Sequence, residues 1–137
     1  MRVVLDTNIL VSALISPAGP SDRLYQEWRN RRFDLVTCEE QLEEFRRVTR
    51  YPRLRPHIDS ANAGTMLNEI RLLAVMASNL PKLKISRDPG DNFVLAMAGA
   101  GRADYLVTKD KRDILALKRH EQTRIVTVNQ MLSVLES

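Results

Sequence analysis

The segment RVVLDTNIL, residues 2–10, decides the fold because it joins an apolar run to a group of polar side chains. Residues 3–5 form the kind of short apolar run that is typical of a fully buried strand. Asp6 follows this run at once, and a buried carboxylate is costly unless charged or hydrogen-bonded groups compensate it. The segment therefore predicts a strand that ends at Asp6, where the chain meets either a polar cleft or a charged partner.

The composition is that of a globular domain, with 44% hydrophobic and 28% charged residues in a chain of 137. This length predicts one domain over residues 1–137. Cys38 is the only cysteine, which excludes an internal disulfide, and with two histidines it leaves no spacing suited to zinc. A lone cysteine is typical of a reducing compartment, so we expect a cytoplasmic protein.

The charge balance favours a polyanionic partner. Lysine and arginine number 21 against 17 acidic residues, giving a formal charge of +4 and a sequence pI near 9.6. No apolar run is long enough to predict a membrane span. Asp6 and Asn8 interrupt the apolar N-terminal region, so we do not expect an export signal there.

Apolar runs and helical periodicity divide the chain into alternating elements. Strands are predicted at residues 2–5, 33–38, 104–108 and 124–128, with a weaker candidate at 83–86 (LKIS). Helices are predicted at residues 21–32, 39–52, 59–79, 88–101, 109–117 and 129–136.

Several helix ends carry explicit signals. Ser21 or Asp22 could cap the first of these helices, and Pro52 would end the second. Residues 59–79 place Met66, Ile70, Leu73 and Ala77 on one side of a long helix. The next helix has Asp88 as its cap and Pro89 at its first position, and it would stop near Gly99 or Gly101.

Alternation of strands and helices predicts a three-layer α/β/α domain with a central parallel sheet, because parallel strands need crossover connections. In such sheets a ligand binds beyond the carboxyl ends of the strands, where the strand order reverses. Asp6 follows one predicted strand, Asp110 follows another, and Asp91 opens the helix that comes after LKIS. The topology could therefore bring these three acids to one edge of the sheet.

A fourth acid comes from the helix at 39–52. Its apolar stripe centres near Phe45, and Glu44 lies about 100° from that centre, closer than Glu39, Glu40 or Glu43. Four carboxylates in one place repel one another unless a hard cation binds them, and oxygen ligands suit Mg²⁺ or Mn²⁺. We therefore predict a catalytic metal site formed by Asp6, Glu44, Asp91 and Asp110.

Other polar residues could support this site. Thr7, Asn8 and Thr108 would orient the carboxylates by hydrogen bonding. The segment 46–55, RRVTRYPRLR, holds five arginines around one tyrosine, which suits phosphate contacts and base stacking. The predicted RNA-binding residues are Arg46, Arg47, Arg50, Lys109 and Lys111.

Four segments in this order resemble a PIN domain, and together they extend over nearly the whole chain. They are VVLDTNILVSAL (3–14), EEFRRV (43–48), RDPGDNFVLAMA (87–98) and YLVTKD (105–110). The resemblance is to the short proteins that act as toxins in toxin–antitoxin pairs of the VapBC kind. It implies a Rossmann-like sheet, a metal-dependent ribonuclease that leaves a 3′-hydroxyl and a 5′-phosphate, a homodimer, and inhibition by a small antitoxin protein.

By position, Asp6, Glu44 and Asp91 match the family's three principal acids and Asp110 matches the fourth. Asn92 stands where many relatives carry a further acid. Asp88 and Asp113 lie close enough to take the place of Asp91 and Asp110, and each could instead be a simple helix-start acid.

Two other functions remain open from the sequence. A haloacid-dehalogenase-like phosphatase also starts with an acid after a buried strand, but its general acid would stand where this chain has Asn8. A noncatalytic RNA-binding module on the same fold would keep the basic surface and lose the metal chemistry.

Overall fold

A computed structural model describes residues 1–109 and 112–137. In chain order, the strands of the described part are β1 (Arg2–Leu5), β2 (Asp34–Thr37), β3 (Val75–Met76), β4 (Tyr105–Val107), β5 (Arg119–His120) and β6 (Thr123–Val126). The helices are α1 (Thr7–Ile15), α2 (Pro20–Arg29), α3 (Glu39–Val48), α4 (Ser60–Leu73), α5 (Pro89–Ala100), α6 (Arg112–Leu117) and α7 (Val128–Glu136), with a 3₁₀ turn at Arg55–His57.

The described strands form one sheet in the order β3-β2-β1-β4-β6-β5. Every neighbouring pair is parallel except β5 and β6, which are antiparallel. The predicted parallel sheet is thus confirmed apart from this edge strand, which the short 120–123 turn makes possible. The strand order reverses between β1 and β4, where the carboxyl ends of both strands meet.

Two hydrophobic cores lie on opposite faces of the sheet, which confirms the three-layer prediction. Val3 and Leu5 pack with α1, α2, α3, α4 and α7 on one face. Val4 points the other way and packs with α5 and α6. This alternation follows from the strand repeat of two residues, and it makes β1 buried on both faces.

Helix α5 runs antiparallel to β1 across the second face. Its C-terminal end lies at the amino edge of the sheet, where Arg2 Nη1 donates to the Gly101 carbonyl over 2.9 Å. Gly101 allows this close approach, because a Cβ there would lie only 2.4 Å from Val36 Cγ1. The opposite end of α5, with Asp91, consequently lies at the carboxyl edge.

Both predicted ends of α2 and the predicted end of α3 are wrong, and α2 stops at Arg29 rather than at Arg32. α2 begins at Pro20 with Gly19 as its N-cap, not at Ser21 or Asp22, because proline fits the first helical position. The Asp22 carboxylate instead accepts a hydrogen bond from the Ala18 amide at 2.8 Å. α3 ends at Val48 rather than at Pro52, with Thr49 donating back to the Arg46 carbonyl.

The helix predicted over 59–79 is confirmed only as far as Leu73, and the predicted strand at 83–86 is wrong. α4 ends at Leu73, and Val75 and Met76 then pair with Val36 and Thr37 of β2. Pairing with β2 therefore replaces the helical turns that the sequence predicts after residue 73. No strand forms at 83–86, because the Ile85 and Ser86 amides donate to the Asn92 side chain instead of to a neighbouring strand.

Candidate active site

The site begins at the reversal of strand order. Asp6 directly follows β1, and its amide extends the ladder by donating to the Val107 carbonyl at 3.0 Å. Because side chains alternate along a strand, Asp6 shares the face of Val4, on which α5 packs. Thr108 follows β4, and its hydroxyl donates to Asp6 Oδ2 at 3.1 Å. Both side chains are buried, with Asp6 only 4% exposed.

Asp91 lies in the first turn of α5, at the same edge and on the same face as Asp6. It is 2% exposed, and its Oδ2 accepts a hydrogen bond from the Ser86 hydroxyl at 3.1 Å. Asp88 differs, since it is exposed and caps the helix by accepting from the Gly90 amide at 2.8 Å. Of these two acids, Asp91 is the one buried at the edge of the sheet.

Asn92 holds the segment that precedes α5. Its Oδ1 accepts from the Ile85 amide at 3.0 Å and the Ser86 amide at 2.8 Å, and its Nδ2 donates to the Ser86 carbonyl. Ser86 in turn donates to Asp91. The asparagine that departs from the family's pattern therefore positions the residue that contacts Asp91.

Helix α3 is tied to the Asp6 segment from the other face by a buried amide. Gln41 donates to the Leu5 carbonyl at 2.7 Å and approaches Thr7 Oγ1 at 3.4 Å, while it accepts from the Thr37 hydroxyl at 2.7 Å. Sequence reasoning missed Gln41 and Thr37. The signal was present, since Gln41 stands four residues before Phe45 and so lies on the apolar face of α3.

Glu44 lies one turn after Gln41 and therefore on nearly the same side of α3. It is half-buried, whereas Glu39, Glu40 and Glu43 are exposed. Even so, in the described ranges no three His, Cys, Asp or Glu side chains approach closely enough to hold a metal ion. The fold brings Asp6 and Asp91 to one edge and face, and the role of Glu44 as a further ligand stays a prediction.

The remaining predicted site residues are placed as follows. Thr7 is buried, whereas Asn8 is exposed. Asp110 and Lys111 lie outside the described residues, and the side chain of Asp113 is not among those described.

Basic side chains occur in two parts of the described structure. Arg46 and Arg50 line a cavity of about 540 Å³ between α3 and α4, together with Arg55, and Arg47 is exposed nearby. Lys109 is exposed after Thr108, and its Nζ contacts the Ser12 hydroxyl.

These features define a class: three-layer α/β/α domains with buried carboxylates where the strand order reverses. The chain belongs to the PIN domain family, whose model matches residues 2–112. PIN domains are generally nucleases, and membership supports a hydrolase that acts on nucleic acid.

Two individual proteins extend the comparison. The chain is 24% identical to the uncharacterised protein MJ1680 of Methanocaldococcus jannaschii over 132 residues, which covers 96% of this chain and 83% of that protein. The crystal structure of PAE2754 from Pyrobaculum aerophilum is similar with a TM-score of 0.64 and 17% identity, covering 98% of this chain and 88% of that one. The structural likeness supports the fold. None of the described helices has the length and apolar character needed to cross a bilayer.

Proposed function

We propose that this protein is a metal-dependent endoribonuclease that hydrolyses RNA phosphodiester bonds. One observation carries the proposal: two carboxylates far apart in sequence, Asp6 and Asp91, are both buried at the edge where the strand order reverses. Burial of two like charges at one edge is costly, and a divalent cation is the usual compensation at such a site. Membership of a family of nucleases points to the same chemistry.

The donor chemistry of the described residues fits a hard cation, because the buried groups at this edge are carboxylate and hydroxyl oxygens. Asp6 and Asp91 would hold Mg²⁺ or Mn²⁺, and we propose Glu44 and Asp110 as the acids that complete the set. When bound, the metal would polarise the phosphate and acidify a water molecule. Thr108 would orient Asp6, and Thr7 would hold α3 through Gln41.

The basic residues would bind the RNA backbone. Arg46 and Arg47 are exposed on α3, Arg50 is exposed just after it, and Lys109 stands beside Thr108. Lys111 belongs to the same proposal by its place in the sequence. Contacts of this kind neutralise phosphates without reading base sequence, so they would set affinity more than specificity.

The proposal also includes a biological role and two protein partners. The resemblance suggests the toxin of a toxin–antitoxin pair, acting in the cytoplasm, with a small antitoxin partner. It also suggests a homodimer. Large apolar side chains are exposed at the β3 edge of the sheet, with Leu72 81% and Leu73 62% exposed, and such a surface is suited to a second chain.

The first prediction tests the nuclease directly with a mixed RNA pool and Mn²⁺. We expect the wild-type protein to cleave, EDTA to stop cleavage, and Asp6→Asn to lower the rate by about 100-fold or more, because a metal-binding carboxylate becomes a neutral amide. Asp34→Asn is the matched control. Asp34 is exposed at the amino end of the neighbouring strand, and its variant should cleave normally.

Equal cleavage by all of these samples would contradict the nuclease proposal. A second candidate, a noncatalytic RNA-binding module, is favoured by the lack of a three-ligand cluster within residues 1–109 and 112–137. It predicts RNA binding without cleavage, no heat of Mn²⁺ binding by calorimetry, and the same RNA affinity for Asp6→Asn. The phosphatase alternative has no such support, since the chain belongs to the PIN family.

A further inference from the structure

A cavity of about 360 Å³ lies beside the acidic edge, and most of its lining residues have no role in the mechanism above. It is enclosed by α1, the starts of α2 and α7, and the residues that follow β4. Its polar lining includes Ser12, Ser16, Ser21, Thr108, Lys109 and Asn129. In the described part of the chain, no carboxylate lines this cavity.

Several positive groups converge on it. Helices α2 and α7 both begin at the cavity, and a helix N-terminus carries open N–H donors and a partial positive charge. α2 starts at Pro20, and its N-cap Gly19 makes no side-chain capping hydrogen bond. In α7 the Thr127 side chain accepts from the Gln130 amide, so the first amides of that helix stay open. Lys109 adds a full charge, and its contact with Ser12 uses one of three ammonium donors.

Ser21 independently indicates a ligand. It lines the cavity, it is only 6% exposed, and within the described residues no hydrogen bond reaches its hydroxyl. A polar group on a side chain buried this deeply nearly always has a partner, and the described residues supply none to this hydroxyl. The Ser21 hydroxyl is therefore available to a group that enters the cavity.

We infer that this cavity binds a phosphate group of the nucleic-acid strand, an inference that rests on the proposed function. Two helix N-termini, an ammonium group and hydroxyl donors form the set that recognises an oxyanion. Thr108 joins the cavity to the acidic edge, since it lines the cavity while its hydroxyl donates to Asp6. A phosphate bound in this cavity would belong to a nucleotide adjacent to the phosphodiester bond that is cleaved.

The test uses the full chain with EDTA and no divalent metal, so that catalysis plays no part. Inorganic phosphate is titrated while the backbone amides are followed by NMR. We expect the Ser21 and Asn129 amides to shift with saturation. Asn129→Asp should weaken phosphate binding by about fivefold or more, because it adds negative charge at the cavity without changing side-chain shape. Its melting temperature should not fall, since an acid in the first turn of α7 favours the helix.

Two matched controls separate local from general charge effects. Asn68→Asp makes the same change at an exposed position in the middle of α4 and should leave phosphate binding unchanged. Lys109→Gln should weaken binding, whereas Lys118→Gln, at an exposed position directly before the edge strand β5, should not. Shifts confined to other residues, or equal binding by Asn129→Asp and Asn68→Asp, would overturn the inference.

Short RNA oligonucleotides then identify the source of the phosphate. If a 5′-phosphorylated oligonucleotide binds more tightly than its 5′-hydroxyl form, the cavity binds a terminal phosphate. If the two forms bind equally, the cavity binds a backbone phosphodiester. The two proposals fail separately. Phosphate binding without metal-dependent cleavage would overturn only the nuclease, and cleavage without the amide shifts would overturn only the cavity assignment.

Discussion

Asp88 and Asp91 are three residues apart at the start of α5, yet their surroundings give them different roles. Asp88 is exposed and accepts from the Gly90 amide, which is the role of an N-cap. Asp91 is buried and accepts from Ser86. Sequence spacing left these two acids interchangeable, because either could serve a helix start. Burial is what separates them.

Substituting each acid by its amide tests this division. Asp91→Asn should lower Mn²⁺-dependent RNA cleavage by about 100-fold or more, because it removes a proposed metal ligand at nearly constant shape. Asp88→Asn should cleave like the wild type, since asparagine is an equally good N-cap. Asp88→Ala should instead lower the free energy of unfolding by about 1 kcal/mol. Normal cleavage by Asp91→Asn together with loss in Asp88→Asn would reverse the assignment.

At the scale of elements, Gln41 connects three parts of the structure. Its amide accepts from Thr37 at the end of β2 and donates to the Leu5 carbonyl at the end of β1. Helix α3, which carries Glu44, is thereby fixed to the strand that delivers Asp6. A fully satisfied buried amide of this kind sets the position of an element as well as stabilising it.

Gln41→Leu should therefore destabilise the protein and weaken catalysis. We expect the free energy of unfolding to fall by about 1–3 kcal/mol, because the Leu5 carbonyl and Thr37 hydroxyl lose their buried partner. Urea denaturation measures this change, and the RNA cleavage assay measures the accompanying loss of rate. Gln26→Leu, on the exposed surface of α2, is the matched control and should alter neither quantity appreciably. Unchanged stability in Gln41→Leu would show that α3 is held by apolar packing alone.

The sequence predicts those elements whose own residues determine them. β1, β2 and β4 each contain consecutive buried apolar side chains, β6 alternates buried and exposed positions along its first three residues, and α5 carries an N-cap and an N-terminal proline. β3 has only two residues, directly after a helix, and it becomes a strand because β2 offers it hydrogen-bond partners. Such pairing depends on strand order, which local periodicity does not contain.

The candidate site likewise contains some residues that the sequence predicts and others that it does not. Asp6 could be singled out because it follows an apolar run, and the edge of the sheet to which it belongs follows from topology alone. The Gln41 contact could not, since it joins residues 36 positions apart. The lining of the phosphate cavity likewise comes from α1, α2, β4 and α7, which meet only in three dimensions.

At the scale of the whole molecule, each of the two cores contains a buried ionisable group. Cys38 lies in the core beneath α5, and burial raises the pKa of its thiol from 9.0 to about 11. Tyr25 lies in the opposite core, where burial raises the pKa of its hydroxyl from 10.0 to about 12 despite the nearby Arg29. The fold therefore keeps both groups protonated at pH values where an unfolded chain would release the protons.

Stability should consequently fall as the pH rises above about 9, and it should continue to fall to about 12. The folded state binds more protons than the unfolded state in this window, so the free energy of unfolding decreases with pH, by roughly 2 kcal/mol for each group. Urea denaturation under reducing conditions at pH 8 and pH 11 measures the loss. Cys38→Ala and Tyr25→Phe should each reduce the difference between the two pH values, whatever their effect at pH 8. Tyr51→Phe replaces an exposed tyrosine and should leave the difference unchanged. If all three variants lose as much stability as the wild type, the alkaline transition must come from groups outside the two cores.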